Sequence, residues 1–184
     1  METSLPDVVA ALRAGGVVAY PTEAVYGLGC DPQNRESFER LFAIKRRPQT
    51  RGVLLIAADF GQIERYIDPA LPAEAIERAK STWPGPHTWV FPRSAFTPDW
   101  LAGAHQGIAL RVTAHPLAAE LCRAFGGALV STSANRHGEP PARTADDVRA
   151  AFGDELDAVL NGSVGGLERP TPIRDAISGD TVRF

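Results

Sequence analysis

The chain has 184 residues, of which 44% are apolar and 22% charged, with a net charge of −3. That length is expected to fold as one domain, residues 1–184, with room for a substantial core, and no apolar run approaches the roughly 18–20 residues of a membrane span. The acidic balance argues against a protein that coats nucleic acid, and two cysteines without a C-x-x-C argue against a disulfide framework, which makes a reducing cytoplasm the expected setting.

In chain order, the N-terminal stretch lacks the basic start and apolar block of a secretory leader. Val8, Val9 and Leu12 are spaced instead for a short helix ending at Gly15-Gly16. Val17 to Tyr20 is a short apolar run expected to form a buried strand. Pro21 lacks a donor and is expected to end the ladder, placing Thr22 and Glu23 on a turn at the edge where open α/β sheets bind ligands. Gly27 and Gly29 flank Leu28 and permit close backbone approach. Asn34 can cap a helix from Arg35 to about Arg46, with Phe38, Leu41, Phe42 and Lys45 on one face and Pro48 as the stop.

Gly52 to Ala57 reads as a second buried strand, and Ala73 to Thr82 as a helix. The rigid turn Trp83-Pro84-Gly85-Pro86 leads into a strand from Thr88 to Phe91, closed by Pro92. Pro98 to Gly107 is loop-like, and Ile108 to Val112 is a strand carrying Arg111 in an apolar setting. A helix starts at Pro116 and ends at Gly126-Gly127, and Ala128 to Thr132 is a further strand. Thr144 and Asp147 form a near capping box for a helix through Phe152. Ala158–Leu160, Pro172–Asp175 and Thr181–Phe184 close the chain as short strands, with a hairpin turn at Gly179-Asp180. Alternating strands and helices indicate an α/β fold, and several connections are too short for parallel crossovers. The expected architecture is a mixed twisted sheet with flanking helices.

The chemistry-bearing residues form a short inventory. There is no phosphate-binding G-x-x-x-x-G-K-[ST] loop and no G-x-S-x-G elbow, and the four histidines show no metal-ligand spacing. Arg40, Lys45, Arg46, Arg47 and Arg51 form a basic cluster without an intervening acid. It fits a confined polyanion such as a triphosphate, and equally a solvated helix end favoured by the helix dipole. Within it, Lys45 and Arg47 can point at one anion while Arg46 faces solvent. Arg111 requires a carboxylate or phosphate partner, supplied by an internal salt bridge or by a ligand. Ser131-Thr132-Ser133-Ala134-Asn135 offers three hydroxyls and an amide just past a strand end, which is a polar turn or a hydrogen-bonding cradle.

The string Gly16 to Asp31, GVVAYPTEAVYGLGCD, resembles the PT-E/D-x-x-YGLGCD signature of the YrdC/TsaC family of threonylcarbamoyl-AMP synthases. Lys45-Arg46-Arg47-Pro48 is similar to the family's K-x-R-P element, Ser133-Ala134-Asn135 to its S-A-N element, and Arg169-Pro170-Thr171-Pro172-Ile173 to its P-S/T-x-I element. Trp83 to Thr88 resembles its PG-x-x-T stretch. At Arg111-Val112-Thr113-Ala114-His115-Pro116 the family has R-x-P followed by HP, so Thr113 stands where a proline is expected. The resemblance runs from Gly16 to Arg183, and it is to the short single-domain bacterial form.

It implies a YrdC-like fold with a concave active-site cleft and the reaction of L-threonine, bicarbonate or CO2, and ATP to threonylcarbamoyl-AMP and pyrophosphate. The product would pass to the tRNA threonylcarbamoyl transferase complex, with possible weak RNA or tRNA binding by the chain itself. The implied catalytic pair is Lys45 and Arg47. Thr22, Arg111, Ser131 and Thr171 would surround threonine, and Lys45, Arg47, Ser133, Asn135 and Arg183 the nucleotide. Mg2+ would accompany ATP without a protein ligand set. The rival from another class is an RNA-binding or ribosome-maturation protein using the Arg40–Arg51 cluster. Against it, Phe38 and Phe42 read as core residues rather than as stacking platforms.

Overall fold

The computed structural model describes residues 3–48 and 50–182. The first helix, α1 (Leu5–Arg13), is closed at its start by a capping box in which Ser4 and Asp7 satisfy each other's backbone donors. β1 (Val18–Pro21) then turns directly into an antiparallel partner, β2 (Tyr26–Gly29), with Val18 opposite Gly29 and Pro21 opposite Tyr26. The ladder ends at Pro21, as expected, though Pro21 itself still pairs with Tyr26 as the last residue of the strand. The Thr22 N–H makes the closing bond to the Val25 carbonyl at 3.1 Å. The donor that Pro21 lacks thus belongs to the opposite edge, beyond the two residues, Val18 and Ala19, that pair with β7 (Ala158–Val159).

α2 (Arg35–Lys45) starts at Asn34, whose Oδ1 accepts the Ser37 N–H at 3.1 Å, and ends where Arg46 adopts a left-handed φ of 51°. β3 (Leu54–Ala57), α3 (Ala73–Lys80), β4 (Thr88–Pro92), β5 (Gly107–Val112), α5 (Pro116–Phe125) and β6 (Leu129–Ser133) follow within a residue or two of their expected bounds. The stretch expected to be loop contains α4 (Asp99–Ala102), one turn long and too short to show a helical period. It forms because Leu101 is fully buried and its carbonyl accepts the Val53 N–H at 3.0 Å. α6 (Ala145–Phe152) has the full Thr144–Asp147 capping box, and β8 (Ile173–Asp175) and β9 (Thr181–Val182) form the closing hairpin.

Among the described residues the strands form one mixed sheet in the order β7-β1-β2-β6-β3-β5-β4-β8-β9. Strand alternation divides its two faces. Val17, Ala19, Leu28, Leu55, Ala57, Ile108 and Leu110 pack with Phe38, Leu41 and Phe42 of α2 and with Val148 and Phe152 of α6. Val18, Tyr20, Ile56 and Leu129 point the other way, against Val8, Val9 and Leu12 of α1 and Leu121 and Cys122 of α5. Both cysteines are free and buried. α1 and α5 cover only part of this second face. Further along it, Gly27 lies opposite Ser133 across the β2–β6 ladder, and Leu54 lies opposite both Ser131 and Ala109, which gives a floor of small and polar side chains.

Candidate active site

On that uncovered floor lies a cavity of about 250 Å3. Gly27, Leu54, Ala109 and Ser131 form its base, Thr22 and Glu23 contribute the β1–β2 corner, and Pro86 and Thr171 form the facing wall. The glycines of β2 serve it in different ways. A side chain at Gly27 would stand against the Ser131 hydroxyl over the floor, whereas one at Gly29 would collide with the Val130 carbonyl and with the Tyr20 ring packed there. The segment from 162 to 172 passes across the mouth and is tied to the corner, with Gly165 N–H donating to the Thr22 carbonyl at 2.9 Å and Leu167 N–H to that of Glu23 at 3.2 Å. Only a glycine fits at 165, because a Cβ there would lie 2.6 Å from the Glu23 carbonyl oxygen.

Arg111 enters this cavity from β5. Its Nε and Nη2 both donate to the Thr88 hydroxyl, at 3.0 and 2.8 Å, and its Nη1 lies 3.6 Å from Glu23 Oε2. Of the two readings left open for this arginine the internal carboxylate partner is present, and the side chain also lines the cavity. Burial pulls its pKa down from the ordinary value, and the Glu23 charge opposes that shift. Glu23 Oε1 accepts from the Thr113 hydroxyl at 2.7 Å and from the Ala114 N–H at 3.1 Å. Thr113, the departure from the family's proline, also donates its N–H to the Ala57 carbonyl at 3.0 Å, which a proline could not do. The Thr22 hydroxyl donates to the Val25 carbonyl at 2.6 Å and the Thr171 hydroxyl to the Pro86 carbonyl, so both are held in place at the rim.

A second, polar recess of about 270 Å3 adjoins the first, lined by Lys45, Arg47, Arg51, Ser133, Asn135 and His137. Arg47 and Ser133 line both chambers. Arg47 is held by Thr132 Oγ1 at 3.0 Å, by the Gly52 carbonyl at 2.8 Å and by stacking on Phe42, 5.5 Å from the ring centre. Lys45 differs from the expectation of a free cation at a helix end. It is 3% exposed, and its ammonium donates to the Ser133 carbonyl, to the Asn135 carbonyl at 2.7 Å and to Asn135 Oδ1 at 3.3 Å. It thus anchors the Ser-Ala-Asn turn from below, because the face that buries Phe38 and Leu41 also buries position 45. Burial, with the Arg47 charge adding, pulls its pKa down to about 7. Asn135 Oδ1 also accepts from the Ser133 hydroxyl at 2.6 Å. Arg46 is exposed, as expected.

The structure therefore brings Thr22, Arg111, Ser131 and Thr171 into one chamber and Lys45, Arg47, Ser133 and Asn135 into the other. Arg183 lies outside the described residues. Among the described residues no group of three His, Cys, Asp or Glu could hold a metal, and no helix is long and apolar enough to cross a membrane. Three residues that the sequence reading gives no site role hold this arrangement together: Glu23 and Thr88 as the partners of Arg111, and Thr132, which lines the cavity, as a partner of Arg47. The partners of the first two lie far along the chain, which no local pattern reveals.

A cavity holding the Arg111–Glu23 pair adjoins a cationic recess on the partly bare face of a mixed sheet, the arrangement of an α/β domain with the chemistry to take a small polar molecule beside a polyanion. The family model Sua5_yciO_yrdC, described as telomere recombination, matches residues 10–183, and the chain belongs to this family. It is 58% identical over 174 residues, 95% of this chain and 91% of the relative, to a protein of Halorhodospira halophila named threonylcarbamoyl-AMP synthase. A protein of Coxiella burnetii with the same name is 52% identical over 181 residues, 98% of this chain and 97% of the relative. Among solved structures, Sua5 of P. abyssi complexed with L-threonine superposes with a TM-score of 0.86 at 30% identity. That match covers 93% of this chain but 50% of the other, so the chain spans about half of that protein. YciO of E. coli gives a TM-score of 0.81 at 25% identity, covering 93% of this chain and 82% of that one.

Proposed function

We propose that this chain is an L-threonylcarbamoyladenylate synthase that joins L-threonine, bicarbonate or CO2, and ATP into threonylcarbamoyl-AMP with release of pyrophosphate. The observation that carries this reading is the pair of adjoining chambers with a common wall at Arg47 and Ser133. One offers hydroxyls and a charge-balanced Arg111–Glu23 pair, which suits an amino acid. The other offers Lys45, Arg47 and Arg51 with no carboxylate in its described lining, which suits a triphosphate. The neutral threonine amine adds to CO2, giving a carbamate and releasing a proton, or to bicarbonate, giving the carbamate with loss of water. A carbamate oxygen then attacks the α-phosphorus, and the bond to pyrophosphate breaks.

No protein nucleophile is required. The chain's contribution is to hold two ligands in line and to place donors where charge develops. Thr22, Arg111, Ser131 and Thr171 would hold threonine, with Arg111 on its carboxylate. Arg47 would meet the phosphates directly. Lys45 would act mainly through the Ser133–Asn135 turn that it braces, and Arg183 would add to the nucleotide side. Glu23, the one carboxylate in the described lining, is already engaged by Thr113, Ala114 and Arg111. Mg2+ would therefore be carried by the ATP phosphates, where it neutralises charge on the departing pyrophosphate. The product is a mixed anhydride that must be consumed by a separate transferase acting on tRNA. Phe38 and Phe42, the aromatic residues nearest the basic cluster in sequence, are buried in the core, so nothing favours the RNA-binding reading.

The test is pyrophosphate release with ATP, Mg2+, threonine and bicarbonate, omitting each in turn. Release should require all four. Equal release with serine in place of threonine, or without bicarbonate, would overturn the assigned substrates.

A further inference from the structure

We infer that Glu23 is the positioning residue for Arg111, fixing its guanidinium at the cavity wall and thereby setting the affinity for the amino-acid substrate. This rests on the proposed threonine-binding role of the cavity.

The two oxygens of Glu23 have separate surroundings. Oε1 accepts from Thr113 and Ala114, which fastens the β1–β2 corner to the exit of β5 across 90 residues of chain. Oε2 is buried and makes no hydrogen bond, and the cation facing it is Arg111 Nη1 at 3.6 Å. A buried acceptor left in this way is costly and calls for a reason. The arginine supplies one. Its Nε and Nη2 converge on a single hydroxyl, that of Thr88, so one neutral partner would otherwise hold a buried cation. Such a cation leaves for solvent or for the nearest phosphate unless a charge retains it. In this molecule the adjoining recess, where we place ATP, begins at Arg47 in the same cavity wall.

At 3.6 Å the pair is an electrostatic tether and not a bidentate clamp. Nη1 keeps its protons for an incoming carboxylate while Glu23 keeps the guanidinium from drifting. Oε1 is fastened to Thr113 and Ala114, which follow Arg111 directly along the chain, so the carboxylate is held at the end of β5 within reach of the guanidinium it retains.

The experiment is steady-state pyrophosphate release with threonine and ATP varied separately. Glu23→Gln keeps an acceptor for Thr113 and Ala114 but turns an amide toward the cation. The threonine KM should rise about tenfold to a hundredfold, with kcat and the ATP KM within about threefold. In an Arg111→Ala background the same change should add nothing further, since the residue it positions is gone. Thr113→Val keeps the charge but loosens its anchor and should raise the threonine KM a few-fold. A carboxylate that merely supports the fold would instead lower thermal stability and kcat and leave both KM values in place, and that result overturns the inference. If Glu23→Gln fails to fold, an unaltered threonine KM in Thr113→Val overturns it as well. Absence of threonine-dependent release by the unsubstituted protein is a different failure, that of the proposed function itself.

Discussion

The two chambers share a wall yet solve opposite electrostatic problems. In the cavity proposed for threonine Arg111 is paired with Glu23, both side chains nearly buried, and apart from Arg47 in the shared wall the rest of the lining is hydroxyls and apolar surface. In the recess Lys45, Arg47 and Arg51 converge without a balancing acid in the described lining. The recess holds its cations with neutral oxygens, on Lys45 from Asn135 and on Arg47 from Thr132 and Gly52, which leaves its net positive charge to a polyanion. The difference teaches that neither burial nor the count of basic residues decides which cation brings its own acid, since Lys45 is 3% exposed and is held by carbonyl and amide oxygens alone.

The largest effect should come from removing the balanced cation. Arg111→Ala deletes the group proposed to bind threonine and also leaves the Glu23 carboxylate buried without it. We expect the threonine KM to rise further than in Glu23→Gln and stability to fall by about 3–5 kcal/mol, on the order of 2–4 °C in Tm for each kcal/mol. The double variant Arg111→Ala/Glu23→Gln should regain part of that stability without regaining threonine binding. A Tm equal to that of the unsubstituted protein in the single variant would show that the pair is not a buried charge balance.

Arg47→Ala tests the unbalanced side. Loss of one donor aimed at developing charge should lower the rate by roughly 100- to 1000-fold, about 2.7–4 kcal/mol. No carboxylate is left buried by this change, so the Tm should fall less than in Arg111→Ala. Near-normal turnover would remove Arg47 from the phosphate side.

Lys45 gives a pH-dependent version of the same contrast. Its pKa is about 7 in the folded chain against 10.5 for an ordinary lysine. Below pH 7 both folded and unfolded chains hold the proton, and this group adds no pH dependence to stability. Between about 7 and 10.5 the unfolded chain keeps a proton that the folded chain has released, so its contribution to stability rises with pH. Function should run the other way, because the ammonium that braces Ser133 and Asn135 is lost. kcat/KM for ATP should fall above about pH 7, and the corresponding limb of kcat should lie at higher pH, since bound phosphates favour the charged form. A kcat/KM flat from pH 6 to pH 9 would show that the brace does not titrate.

Much of this arrangement was legible in the sequence. The helix starts at Asn34 and Thr144 follow from capping chemistry acting over three residues. An arginine on an apolar strand announced that a partner existed. What stayed hidden depends on distance or on weak local signals. Tyr26–Gly29 has two glycines and no alternation to mark a strand, and its pairing with β1 and β6 made it one. Lys45 follows the period of the buried face of α2, but period alone does not say whether a terminal lysine bends out to water or under the next turn. The identity of Arg111's partner required the fold to bring the β1–β2 corner to the end of β5.

The smallest predicted effect sharpens the contrast further, because it changes the charge of the recess loop without touching the recess. Arg46 lies between Lys45 and Arg47 but is exposed, and its charge is felt by Glu155, which lines neither chamber. It occupies the left-handed C-cap of α2 with φ at 51°. Glycine takes that conformation without the side-chain penalty of roughly 1–2 kcal/mol. The larger conformational entropy of glycine in the unfolded chain offsets about 0.4–1 kcal/mol of this. Arg46→Gly should therefore leave Tm unchanged or slightly raised. Exposed charges are screened over about 8 Å at physiological salt, so the ATP KM should stay within about twofold. If it instead rose tenfold while Arg47 kept its function, the recess would be responding to the summed charge of the loop. Donors fixed in place and basic residues merely nearby would then be equivalent.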